Sequence, residues 1–115
     1  MKKAIFFYLL AMLTIISLTH AHNTTTSCPA PANVSKVFSA SSSISYDWDD
    51  CTGGCLRYEV RYVRLADGYT SSWYSTSVSN FTFSGLASGD YQFLFKTVCI
   101  GGASEALIIE DIIWI

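Results

Sequence analysis

From residue 44 onward the chain alternates apolar and polar positions with period two. Ile44, Tyr46 and Trp48 interleave with Ser45 and Asp47, the pattern of a strand with one buried face. Residues 56–65 carry the longest alternation, with Tyr58, Val60 and Tyr62 on one phase and Arg57, Glu59 and Arg61 on the other. Further strands are predicted around Phe81, Phe83 and Leu86, from Tyr91 through Phe93 and Phe95 to Cys99, and over residues 107–115. The Ser/Thr-rich residues 73–78 predict an edge strand, and Val34, Val37 and Phe38 mark a short first strand after Pro29 and Pro31. Between these lie turn signals: Gly53-Gly54 in the loop 49–55, Ala66-Asp67-Gly68, Gly89, and Gly101-Gly102. No stretch shows a sustained apolar stripe at helical spacing.

Seven short strands at regular intervals predict an all-β domain, a seven-stranded immunoglobulin-like Greek-key sandwich. Its expected core is Tyr46, Trp48, Tyr58, Tyr62, Phe81, Phe83, Tyr91, Phe93 and Phe95, the aromatics on the inward phase. The N-terminus stands apart. Lys2 and Lys3 precede the apolar run 4–18, and Thr19-His20-Ala21 supplies small residues at the minus-three and minus-one positions of a cut after Ala21. Residues 1–21 thus read as a secretory signal peptide. The run is short of the ~20 residues of a membrane span. Cys28 follows Thr25, Thr26 and Ser27 at a distance from it, which argues against lipidation. Residues 22–27 form a polar lead, and residues 28–115 form the single domain, with no internal repeat.

Export changes the meaning of the cysteines. Cys28, Cys51, Cys55 and Cys99 all lie in the exported part. An even number in an oxidising compartment implies two disulfides with three connectivities. A zinc site is disfavoured because paired Cys-x-x-Cys knuckles are absent. The expected location is secreted and extracellular, or a bacterial cell surface or periplasm. The full chain carries 7 basic and 9 acidic residues. Without Lys2 and Lys3 the balance is 5 to 9, or -4, which argues against a nucleic-acid partner.

Several segments in order resemble a fibronectin type III domain. They are Cys28-Pro29-x-Pro31-x-Asn33-Val34, Ile44-Ser45-Tyr46-Asp47-Trp48, Tyr58-Glu59-Val60-Arg61-Tyr62, Trp73 in the fourth-strand region, and Phe81-Thr82-Phe83-Ser84-Gly85-Leu86 followed by Ser88-Gly89-Asp90-Tyr91. Residues 97–104 resemble the cysteine-bearing form of secreted bacterial proteins, notably of Bacteroidota. The resemblance covers residues 28–109. It implies a core tryptophan at Trp48 and a tyrosine corner in which the Tyr91 hydroxyl bonds backbone near Leu86. It also gathers the four cysteines at one pole. The cysteine-bearing relatives imply a Cys28–Cys99 bridge, leaving Cys51–Cys55 as a local clip. The second cysteine pair and the apolar tail 108–115 depart from the family pattern.

Candidate chemistry is sparse. A cut after Ala21 would expose His22 as an N-terminal copper ligand, but the mature chain holds no second histidine to complete such a site. Asp47, Asp49 and Asp50 offer clustered oxygens of the kind calcium prefers, in a spacing that matches no calcium loop. Asp49 and Asp50 also lack the cleft that paired carboxylates need for glycoside chemistry. There is no Ser-His-Asp set, no phosphate-cradling glycine loop and no Arg-Gly-Asp tripeptide. Neither an enzyme nor a cofactor is expected. Sequons begin at Asn23, Asn33 and Asn80, and matter only in a eukaryotic source.

What remains is binding. The outward phase of the third and sixth strands carries Arg57, Arg61, Val63, Leu94, Lys96 and Val98, a mixed basic and apolar face suited to a protein partner. Tyr69, Trp73 and Tyr74 fall outside the expected core and form the alternative, a stacking platform for a glycan. The expectation is a non-catalytic structural or interaction module for a protein or surface partner. A carbohydrate-binding accessory module is the alternative.

Overall fold

The computed structural model describes residues 28–114. The expected signal peptide, the polar lead, His22 and Asn23 lie outside the described residues. Nine strands follow one another: β1 (Ser35–Ala40), β2 (Ser43–Asp47), β3 (Cys55–Arg64), β4 (Tyr69–Thr70), β5 (Tyr74–Thr76), β6 (Asn80–Phe83), β7 (Gly89–Cys99), β8 (Gly102–Ala103) and β9 (Leu107–Ile113). One sheet has the order β1-β2-β6. The other runs β4-β3-β7-β8, with β5 also on β3 and β9 also on β7. Every pairing is antiparallel. The two sheets pack face to face as an all-β sandwich.

The two-residue strands β4 and β8 are additions to the seven expected. β4 forms because the turn before it is tight. Gly68 sits at φ 73°, where a side chain would be strained, and the Asp67 carboxylate accepts the Tyr69 N–H at 3.0 Å. The expected strand over residues 73–78 is shorter and shifted. Ser71 is buried and replaces a ladder partner: the Tyr62 N–H donates to its Oγ at 3.0 Å, and its own N–H donates to the Tyr62 carbonyl at 2.9 Å. That exchange ends β4, and Trp73 stands outside β5.

The first strand also differs from expectation. Val37 is 57% and Phe38 56% exposed, and the register with β2 is broken by a bulge between Lys36 and Phe38. Of the three residues that mark the first strand in the sequence, Val37 and Phe38 therefore face solvent, and Val34, just before β1, supplies the inward contact.

The core lies between the sheets. It contains Ile44, Tyr46, Trp48, Tyr58, Val60, Phe83, Leu86, Tyr91, Phe93, Phe95 and Ile113, with Tyr62 and Phe81 partly buried at its margin. Rings meet edge-on, as their quadrupoles prefer: Tyr46 to Phe95 at 5.2 Å and Trp48 to Tyr58 at 5.3 Å between centroids. The Tyr91 hydroxyl donates to the Ala87 carbonyl at 2.8 Å, closing the corner before β7. One polar link crosses the sandwich. Tyr46 donates to Asp111 at 3.0 Å, and Lys36 of β1 lies 3.2 Å from the same carboxylate on β9.

Candidate functional site

The outer face of the larger sheet follows from register. β3 and β7 pair residue by residue, with Glu59 opposite Lys96, Arg61 opposite Leu94 and Val63 opposite Gln92. Tyr58, Val60, Phe93 and Phe95 are buried. The intervening residues must then point away from the core. β9 adds a column, with Ile108 opposite Leu94 and Glu110 opposite Gln92. Arg57, Arg61, Val63, Leu94, Lys96 and Val98 thus share one face.

Its centre is Trp73. The Arg61 guanidinium carbon lies 4.2 Å from the Trp73 ring centroid, and the Lys96 Nζ lies 4.1 Å from it. Each such contact is worth about 0.5–1 kcal/mol at a wet surface and more when water is excluded. Glu59 is the carboxylate of the cluster. It stands 3.5 Å from Arg57 and 3.4 Å from Lys96, and accepts from Ser75 at 3.5 Å. Arg61 has no carboxylate partner among the described residues, and its Nε is buried without a hydrogen-bond acceptor. Two cations therefore lie against one indole, and Glu59 links one of them, Lys96, to Arg57.

Two members of the face behave differently from the sequence expectation. Leu94 is only 9% exposed. It sits in the central strand between Arg61 of β3 and Ile108 of β9, which cover it from both sides, so it supports the face without presenting itself. Ile108, 53% exposed, belongs to the face although the sequence reading did not include it. The run Leu107-Ile108-Ile109-Glu110-Asp111-Ile112-Ile113 lacks single alternation, so its phase cannot be read without the register.

The three aromatics of the glycan alternative do not share a plane. Trp73 lies on the outer face beneath two cations. Tyr74 stacks on Phe81 of the other sheet at 5.6 Å. Tyr69 lies beside Tyr62 at 6.1 Å, with the Arg64 guanidinium 5.1 Å from its ring.

The cysteines occupy one pole. Cys28 is bridged to Cys99 and Cys51 to Cys55, with Cα separations of 5.9 and 6.2 Å, inside the usual span for disulfides. A half-open cavity of about 190 Å³ lies there, lined by Pro29, Pro31, Asp49, Cys51, Tyr58 and Thr97 among others. The three aspartates weighed for calcium are engaged separately. Asp47 accepts from Ser35 at 3.0 Å, Asp49 from Asn33 at 2.6 Å and Asp50 from Ser79 at 2.5 Å. Among the described residues, no group of three or more His, Cys, Asp or Glu side chains is placed to hold a metal ion.

No protein-family model and no curated protein matches the chain. Solved structures do match its fold. The fn3 domain of the human collagen alpha-1(XX) chain is similar at 25% identity and TM-score 0.60, covering 76% of this chain and 86% of that one. Domains d3-d4 of the rat CD45 extracellular region are similar at 18% identity and TM-score 0.62, over 76% of this chain and 52% of that one. The twitchin kinase region from C. elegans is similar at 18% identity and TM-score 0.63, over 76% of this chain. This chain spans 17% of the twitchin structure's length. The shared element is the fibronectin type III sandwich.

Proposed function

We propose that this chain is an exported, non-catalytic interaction module that docks an acidic surface of a partner protein on the outer face of its larger sheet. One observation carries this reading: Arg61 lies on Trp73 with no carboxylate of its own, beside Arg57 and Lys96, which share Glu59. A local excess of positive charge on a domain whose overall balance is acidic favours an acidic counterpart. Trp73 and Ile108 supply apolar area next to it, the mixture found at protein interfaces. Export is supported by the Lys-Lys start and apolar run of residues 1–21, and by the pairing of all four cysteines.

The test is a titration of isotope-labelled protein with the acidic peptide acetyl-Glu-Leu-Glu-Leu-Glu-amide. Amide shifts are expected along β3, β7 and β9, weaker in high salt because exposed charges are screened within about 10 Å at 0.1 M. The Arg61→Glu/Lys96→Glu variant should lose them. Arg64→Glu should keep them, because Arg64 is turned to Asp67 at 2.8 Å. No shifts with millimolar peptide, or shifts retained in the doubly reversed variant, would refute the proposal.

A further inference from the structure

Open sheet edges offer unpaired backbone donors and acceptors, and folds usually blunt them. Most edges of this sandwich are blunted. β1 carries a bulge and Lys36. β4 and β5 are two and three residues long, and β6 is four. β9 is the least blunted: beyond Glu110 and the inward Asp111, whose carboxylate accepts the Ile112 N–H at 2.9 Å, no device caps it among the described residues. It runs for seven residues, Leu107–Ile113, in unbroken register with β7. It contains no proline and no lysine, and it pairs with no other strand among the described residues. Ile108 and Ile112 are exposed on it, on the same face as Glu110.

We propose that β9 is a docking edge that takes one extended segment of a partner, carrying a basic residue between apolar ones. Backbone bonds to the open edge would supply affinity, and the alternating side chains would supply selection. The residue facing Glu110 should be cationic, and those facing Ile108 and Ile112 should be apolar. A second copy of the chain is a poorer occupant. Antiparallel pairing of β9 with its own copy in full overlap sets Glu110 opposite Glu110, and like charges directly opposed are destabilising. This backbone edge shares Ile108 with the face around Trp73, but the acidic peptide probes that face and the basic peptide probes this edge, so either proposal can fail alone.

The probe is acetyl-Thr-Val-Thr-Lys-Thr-Val-Thr-amide, which reads alike in both directions, with amide hydrogen exchange as the readout. Saturating peptide should slow exchange at alternate β9 amides by at least about tenfold while β7 stays unchanged. The same peptide with Glu for Lys should bind about tenfold more weakly. In the Glu110→Lys variant the preference should invert, and the preference of the unaltered chain stands independently of that variant's folding. No slowed β9 amide at millimolar peptide, or equal binding of both peptides, would overturn the proposal. So would β9 protection that rises with protein concentration alone, which would assign the edge to a second copy.

Discussion

Removing the two disulfides separately should cost very different amounts. Cys28 and Cys99 are 71 residues apart in sequence and Cys51 and Cys55 only 4. In the chain-entropy account a cross-link lowers the freedom of the unfolded chain by an amount that grows with the logarithm of loop length. That gives about 4 kcal/mol for the long loop and about 2 for the short one. A domain this small leaves a large share of its surface wet, and total stabilities are about 5–15 kcal/mol. The long bridge is thus a major fraction of what holds the fold. It also anchors the segment before β1, in which Pro31 is buried and the Ala32 carbonyl accepts the Asp49 N–H at 3.0 Å. The assay is urea unfolding of Cys28→Ala/Cys99→Ala and Cys51→Ala/Cys55→Ala, followed by tryptophan fluorescence. With a urea slope of about 1 kcal/mol per molar, the midpoints should fall by about 4 M and about 2 M. Equal shifts, or a larger shift for the short loop, would refute the loop-length reasoning.

Three further outcomes follow from single contacts. Tyr91→Phe removes the bond to the Ala87 carbonyl and should cost about 1–2 kcal/mol in urea unfolding; no cost would mean that water satisfies that carbonyl. Burial alone would raise the Asp111 pKa, but the Ile112 N–H, the Tyr46 hydroxyl and Lys36 outweigh it and hold it below the ordinary value. Stability from this group is then fully present above the unfolded carboxylate value near 3.9 and is lost as pH falls through the lower folded-state value. The stability gap between the unaltered chain and Asp111→Asn should accordingly narrow from pH 7 to pH 2, and a constant gap would contradict it. Gly68→Ala meets open space but keeps φ at 73°, so thermal melts should show a loss of about 1 kcal/mol, all of it conformational.

The parts of the fold legible in the sequence are those where period two is undisturbed. In β2 and β3 each buried aromatic alternates with a polar or charged residue, and in β7 the alternation Tyr91-Gln92-Phe93 and Phe95-Lys96 is interrupted only by Leu94, so Tyr46, Tyr58, Phe93 and Phe95 are placed inward by phase alone. The same phase put Arg57, Arg61 and Lys96 outward together. β1 misled because a bulge moves Val37 and Phe38 to solvent, and apolar residues at a bulge carry no phase. The β4–β5 break depends on a hydroxyl, Ser71, taking a ladder bond from Tyr62, which no propensity encodes. Trp73 lies outside a strand, so no alternation marks it as the centre of the face. Its place beneath Arg61 and Lys96 exists only in the folded sheet. Ile108 escaped because paired isoleucines flank paired acids, a pattern compatible with either phase.

The most direct test of the interaction face is the side-chain Nε–Hε resonance of Arg61. That group is buried and without an acceptor, so in the protein alone it should give a resolved signal. Adding the Glu-Leu peptide should shift it along the same binding curve as the β3 and β7 amides. An Arg61 resonance that stays still while the peptide binds would place the interaction elsewhere and contradict the account.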